Sequence, residues 1–334
     1  SLIKPAEAAG LWSAGYLAVS AFTEAFFGAE GESGYCARTS AQCSMTVRDQ
    51  SGRGSGWAGG SSHDWAALDA AALARRAQEK CLTSRNPVAI EPGRYTVVLE
   101  PQAVGDLLDL ITGSALWRPM AEAGAGPFAD PHRPGFSKLG LQVADRRVTF
   151  GADPEDPLLG VCPFDRGGEP YRPVLWFKHG ILNALAYDRS YAVDAFNENT
   201  PLPNSQAIRM EGGESSIEEM IRTTQRGLLV TRFSGLRVID QNTLSTTGVT
   251  RDGLWLIERG KITKPVKNLG FSSSPLFVLN SLEQLGQPVP VFRLEPAEEE
   301  VGLNERPAFR AHTPMVVPPL KSRDFNFNRL VDAV

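Results

Sequence analysis

The stretch GLWLIERGKITKP, residues 253–265, decides the fold. Its two strand-like runs, 253–258 and 261–265, flank Arg259-Gly260, and a dipeptide that ends in Gly between two such runs is typical of a β-hairpin. Two further short runs, at 227–232 and 236–240, come before it in the chain. We therefore expect consecutive antiparallel strands in this part of the protein.

The same signals recur further upstream. His179-Gly180 separates the runs 174–178 and 181–187, which predicts a second hairpin with His179 in its turn. A strand at 95–99 is broken by Pro101, and apolar residues then recur at helical spacing from Val104 to Ile111. Many short strands with a few helices predict an α+β fold, in which a mostly antiparallel curved sheet has flanking helices.

The first 85 residues differ from the rest of the chain. Helical patterns at 5–15 and 64–81 flank an alternating, strand-like run at 35–48, which predicts a helix–strand–helix unit with or without a hairpin. The segment 83–93 contains two prolines and has the composition of a boundary. We therefore expect two regions, 1–85 and 91–334.

Composition excludes several classes of partner. The chain has 334 residues, with 34 Lys and Arg against 38 Asp and Glu, and it has no concentrated basic block of the kind that nucleic-acid binding requires. Its apolar runs are far shorter than the roughly 20 residues of a membrane span. The first residues lack the pattern of a secretory signal. We expect a cytoplasmic protein without nucleic-acid or membrane partners.

Cysteine and histidine spacing also limits the chemistry. The chain has no CxxC, HxH or HExxH motif, so a helix-borne zinc site is not expected. In a chain of this length, we expect buried, reduced cysteines rather than a disulfide framework. The four cysteines are Cys36, Cys43, Cys81 and Cys162.

Several motifs follow one another in a fixed order across about 180 residues. They are Pro92-Gly93-Arg94-Tyr95, Asp156-Pro157-Leu158, Lys178-His179-Gly180-Ile181-Leu182, Gly227-Leu228-Leu229-Val230-Thr231-Arg232, Thr247-Gly248-Val249-Thr250-Arg251-Asp252-Gly253 and residues 257–266. In this order the chain resembles the TldD/PmbA family, the TldD and TldE metallopeptidase subunits also called modulators of DNA gyrase. The resemblance implies that 1–85 is the family's middle region and 91–334 its C-terminal domain, with no counterpart of the usual N-terminal domain.

The resemblance also identifies substitutions at the metal motif. Catalytic TldD-type subunits carry HExxxH on the helix after this strand, where two histidines bind zinc and the glutamate can polarise water. The matching positions here are Pro101, Gln102 and Asp106, and the last cysteine is Cys162, whereas catalytic subunits carry a cysteine near the C-terminus. The resemblance therefore implies a TldE/PmbA-like subunit with no catalytic residue and no cofactor of its own, and it implies zinc in a TldD-type partner.

Three functions remain open at this point. The first is a non-catalytic TldE-like subunit that pairs with a TldD-like metallopeptidase as a heterodimer, or with itself. It would enclose and position peptides or unfolded proteins for proteolysis or leader processing. The second is a metal-independent hydrolase with Asp106 and Glu100, or Asp165, as acid and base and Ser114 as nucleophile. The third is a homodimeric peptide-binding scaffold.

For peptide contact, the sequence points to Arg232, Arg251 and Asp252. An arginine can hold carboxylate or carbonyl groups with a fixed fork of donors. The alternative is an Arg–Asp pair within the chain that stabilises a turn. Strand addition at a sheet edge is a further way to bind an extended peptide.

Overall fold

The fold is described from a computed structural model, which covers residues 2–29, 31–165, 167–205, 207–292 and 315–331, with only the backbone of Ser114. The helices are α1 (Lys4–Ala8), α2 (Ala70–Thr83), α3 (Pro101–Leu110), α4 (Arg118–Glu122), α5 (Arg189–Phe196), α6 (Ile217–Arg222) and α7 (Pro275–Asn280). The strands are β1 (Leu11–Phe27), β2 (Ser33–Asp49), β3 (Ser55–Ser62), β4 (Gly93–Leu99), β5 (Phe150–Ala152), β6 (Val174–Lys178), β7 (Ile181–Leu182), β8 (Ile208–Met210), β9 (Arg226–Asp240), β10 (Ser245–Glu258), β11 (Lys261–Pro265), β12 (Leu269–Ser273), β13 (Leu282–Leu285), β14 (Val289–Val291), β15 (Met315–Val317) and β16 (Leu320–Leu330).

The first three strands form an antiparallel sheet in the order β1-β2-β3. β1 pairs with β2 from Leu11 opposite Asp49 to Phe27 opposite Ser33. β3 pairs with residues 41–48 of β2, and beyond this part β1 and β2 continue outward as a two-stranded ribbon. Helix α2 covers the sheet, and its Ala77 and Cys81 are buried with Met45 and Val47.

The helix expected at 5–15 was wrong beyond Ala8. Gly10 turns the chain with a φ of +67°, and β1 begins at Leu11. Ladder hydrogen bonds to β2 override the helix propensity of an alanine-rich segment, since propensity is a weak prior. The strand predicted at 35–48 is confirmed as β2. The first region is therefore a short helix, three strands and α2, and not the helix–strand–helix unit that we expected.

The largest sheet closes on itself. β10 pairs with both β9 and β12, and β16 and β4 join the two ends, so five strands form a ring that β11 and β13 extend. β4 lies parallel to β9, whereas the neighbouring pairs are antiparallel. Phe233, Phe271 and Phe325 fill the interior, with the rings of Phe233 and Phe325 stacked 5.6 Å apart. This closure confirms the predicted curvature.

Both predicted hairpins are present. His179 and Gly180 have φ values of +50° and +75°, and Arg259 and Gly260 have +51° and +77°. Positive φ at both central residues matches the turn that suits the twist of paired strands. The two runs at 227–232 and 236–240 form one strand, β9, which has register shifts against β10.

A third sheet has the order β14-β15-β8-β5-β6-β7. Its pairs are antiparallel except for β15 and β8. The α+β class with mostly antiparallel sheets and flanking helices is thus confirmed. In the part of the chain that the structure covers, no helix combines the length and the apolar character needed to span a bilayer.

The expectation of four reduced cysteines was wrong for two of them. Cys36 on β2 and Cys162 form a disulfide, with Cα atoms 5.7 Å apart, while Cys43 and Cys81 are buried free thiols. The paired residues are 126 positions apart, and the outward ribbon brings them together. Phe164, two residues after Cys162, packs against Phe26 of β1 with ring centroids 5.0 Å apart. Spacing in the sequence cannot reveal such a long-range pair.

Candidate functional site

The positions matched to the metal motif lie at the start of α3, directly after β4. Pro101 is the first helical residue. The N–H of a residue at this position has no partner within the helix, so proline loses no hydrogen bond there, and its fixed φ suits a helix. Gln102 and Asp106 follow one turn apart, so both project from one face of α3. The Gln102 side chain is buried, and Asp106 is half-buried.

The amide of Gln102 is bonded within the chain. Its Nε2 donates to the carbonyl oxygen of Phe292 at 2.6 Å and to Oδ1 of Asp106 at 2.9 Å. Its Oε1 accepts from the backbone N–H of Phe292 at 3.1 Å. Gln102 therefore holds the chain after β14 against α3, and its amide oxygen and amide nitrogen both have partners within the chain.

Asp106 is bonded through both carboxylate oxygens. Oδ1 accepts from Gln102, and Oδ2 accepts from the backbone N–H of Phe233 at 2.9 Å. Burial raises the pKa of Asp106 to about 6, although these hydrogen bonds and the nearby Arg232 guanidinium oppose the rise. The side chain thus ties α3 to β9.

The structure brings Arg232 and Asp252 together. Nε of Arg232 donates to Oδ2 of Asp252 at 2.8 Å, a second guanidinium nitrogen contacts the same oxygen, and Ser55 donates to Oδ1 at 2.6 Å. Asp252 is 1% exposed. Arg251 pairs in register with Arg232 across β9 and β10. The intrachain pair is thus present, and peptide binding by these three residues stays a prediction.

An aromatic cluster beside this pair was missed by sequence reasoning. The ring of Phe292 lies 6.2 Å from that of Trp57 and 6.3 Å from that of Tyr16. The Arg232 guanidinium lies 5.0 Å from the Trp57 ring centroid. The three aromatic residues and Arg232 come from four separate parts of the chain, and no local pattern signals their contact.

The residues of the hydrolase alternative have other partners. Glu100 accepts from Lys80 Nζ at 2.6 Å and from Arg76 Nη2 at 3.0 Å, both on α2. Asp165 accepts from the backbone N–H groups of Gly167 and Glu169 in its own turn. Ser114 lies in a π-helical turn, Ile111–Ala115, that follows α3.

The residues at the motif positions do not fit a zinc ion. Pro101 has no donor atom, the Gln102 amide is bonded to Phe292, and Asp106 is a single carboxylate already bonded twice. A catalytic zinc takes about three protein ligands and an open position. Across the described ranges, no group of three or more His, Cys, Asp or Glu is arranged to hold a metal ion.

Comparison with known proteins identifies the class. The pattern of the PmbA/TldA metallopeptidase C-terminal domain matches residues 92–328, which is more than half of the chain. The chain belongs to the PmbA/TldD family.

Particular relatives agree with this assignment. The chain is 24% identical over 224 residues to a metalloprotease of Methanothermobacter thermautotrophicus, covering 64% of this chain and 47% of that protein. It is 26% identical over 231 residues to the metalloprotease TldD homolog of Haemophilus influenzae, covering 65% and 46%. The chain thus spans about half the length of these curated relatives.

A solved structure shows the same fold. TldE from Thermococcus kodakarensis superposes with a TM-score of 0.71 at 16% identity, over 98% of this chain and 72% of that chain. At this identity the likeness concerns the fold alone.

Proposed function

We propose that this chain is a non-catalytic, TldE-like subunit of a TldD/TldE-type zinc peptidase. The observation that carries the proposal is the hydrogen bonding of the side chains at the motif positions. Gln102 and Asp106 form hydrogen bonds with Phe292, with Phe233 and with each other, so the positions of the metal ligands have a structural role in this chain. Zinc and the water-polarising glutamate would then come from a TldD-like metallopeptidase partner in a heterodimer.

In this proposal the chain helps to enclose and position peptide or unfolded-protein substrates in the cytoplasm, for proteolysis or leader processing. Motif positions without a zinc ligand set suit that role, since a subunit that lacks the chemistry can still shape the chamber around the substrate. The family membership and the TldE-like fold support it. Self-pairing into a homodimeric scaffold is the competing assembly.

The test is peptide cleavage with purified components. The partner for the assay is a family chain from the same genome that carries HExxxH, and the substrate is an unfolded protein. Cleavage is measured with the partner alone, with the partner and this chain together, and with this chain and a partner variant whose motif glutamate is changed to Gln. We expect cleavage to require both chains and the motif glutamate. Cleavage by this chain alone, or a partner whose activity does not change when this chain is added, would contradict the proposal.

A further inference from the structure

A cleft of about 450 Å³ opens between α2 and β11, and Glu100, the residue before Pro101, is part of its lining. Its apolar lining includes Leu229, Trp255 and Ile262. Leu229 and Trp255 are nearly buried, but Ile262 is 46% exposed, so apolar surface is open at the mouth. Clefts between packed regions with an apolar lining and a few polar groups are the usual form of small-ligand sites.

The polar rim carries an excess of positive charge. Arg76, Lys80 and Lys264 line the cleft together with Glu79 and Glu100, so three cations face two carboxylates. Two of the cations, Lys80 and Arg76, contact the same oxygen of Glu100, at 2.6 and 3.0 Å. One carboxylate cannot neutralise both.

Lys80 is the buried cation of this group, whereas Arg76 and Lys264 are exposed. The side chains of Lys80 and Glu100 are 11% and 9% exposed, and burial lowers the pKa of Lys80. A buried charge is expensive unless it is fully paired. A second anion beside Arg76 and Lys80 would complete the pairing. The Arg76 side chain is 50% exposed, so it is accessible to a ligand from solvent.

We propose that this cleft binds a carboxylate carried on an apolar group, as at the C-terminus of a peptide that ends in leucine. The carboxylate would lie at Arg76 and Lys80, and the apolar group would cover Leu229, Trp255 and Ile262. The inference concerns binding by this chain alone and does not depend on a peptidase partner or a metal. Its failure is therefore distinguishable from failure of the proposed function.

Calorimetric titration of the full chain tests the ligand chemistry. The probes are acetyl-Ala-Ala-Leu with a free carboxylate, the same peptide as its C-terminal amide, and 4-methylpentanoate. We expect the free acid to bind at least about tenfold more tightly than the amide, because charge-assisted hydrogen bonds are lost in the amide. If 4-methylpentanoate binds as tightly as the peptide, the site is supported, and its ligand is a small branched carboxylic acid rather than a peptide. Equal binding of acid and amide, or no binding of either acid, would overturn the proposal.

Matched variants locate the site. Arg76→Ala should weaken binding of the free acid about tenfold. Its control is Arg75→Ala, the neighbour on α2 whose side chain is 64% exposed and lies 4.0 Å from Asp69. Replacing Lys80 would leave buried Glu100 without its closest cation and endanger folding. The second pair is therefore Lys264→Ala, with Lys261→Ala on the same strand as its control. Equal effects in both members of each pair would overturn the placement.

Discussion

At the residue scale, the informative positions are Gln102 and Asp106. Residue type alone leads to the expectation that these positions bind no zinc, because Gln and a lone Asp are a poor ligand set for it. The sequence could not predict their actual role, because the amide of Gln102 bonds to Phe292, 190 positions away. Residue type limits chemistry locally, whereas the hydrogen-bond partners of a buried amide depend on the whole fold.

Asp106 should make stability depend on pH. Its pKa of about 6 in the folded protein lies above the value of about 3.9 for an exposed Asp, so the folded state binds more protons between these values. Its contribution to the free energy of unfolding therefore falls as pH rises through about 4 to 6. We expect the difference between wild type and Asp106→Asn to fall by on the order of 2–3 kcal/mol from pH 4 to pH 7.

Urea unfolding of both proteins at several pH values measures this difference. Subtracting the variant removes the contributions of other titrating groups that the two proteins share. A difference that stays constant from pH 4 to pH 7 would show that the pKa of Asp106 is not raised in the folded protein.

The Arg232–Asp252 pair should be a structural requirement. Arg232→Ala leaves Asp252 buried with Ser55 as its remaining side-chain donor. Loss of one partner of a buried ion pair costs about 3 kcal/mol or more in the free energy of unfolding. The control is Arg251→Ala, at the register position opposite Arg232, with an expected cost of less than about 1 kcal/mol. Equal costs for the two variants, measured by urea unfolding, would contradict this role.

At the element scale, the local signals predicted local structure. The His179-Gly180 and Arg259-Gly260 turns were predictable because both central residues of each turn have positive φ, which short Gly-containing dipeptides favour. β1 was not predictable, because the alanine-rich start of this segment suits a helix. Its strand form depends on pairing with β2, which extends as far as Phe27 opposite Ser33.

The ribbon of β1 and β2 should be tied to the rest of the molecule by the Cys36–Cys162 disulfide. Without reductant, alkylation of the unfolded chain should modify two of the four cysteines, and after reduction all four, as read by intact mass. Cys36→Ser should lower the free energy of unfolding by about 2–5 kcal/mol, because the bond closes a long loop.

Cys43 provides the matched control for the disulfide. Cys43 is a free, buried thiol on the same strand as Cys36, so Cys43→Ala should leave the Cys36–Cys162 disulfide intact. Reaction of all four thiols in the wild-type chain without reductant would contradict the pairing.

The approach of α2 to β3 should depend on Gly56. A Cβ atom at this position would lie 2.2 Å from the Ala77 carbonyl oxygen and 2.4 Å from the Cys81 nitrogen, both in the helix backbone. Gly56→Ala should therefore lower the free energy of unfolding by about 3 kcal/mol. At Gly60 the nearest atom is the end of the Leu68 side chain, at 3.1 Å, so Gly60→Ala should cost less. Equal losses in thermal unfolding would rule out this close approach.

At the scale of the whole molecule, the collinear motifs predicted the family and the α+β class. Closure of the large sheet was not predictable, because it requires β4 to lie parallel to β9, more than 120 residues further along the chain. The division into regions at 85–91 stays a prediction. The peptide role of Arg232, Arg251 and Asp252 also stays one.

The central claim is that this chain lacks the zinc site and a TldD-type partner supplies it. The most direct test is native mass spectrometry with metal analysis of the chain alone, of the partner carrying HExxxH, and of their mixture. We expect a heterodimer that holds one zinc ion. The zinc should be lost when the partner's motif histidines are changed to Ala, and it should be retained when this chain carries Gln102→Ala. Stoichiometric zinc on this chain alone, released by Asp106→Asn, would contradict it.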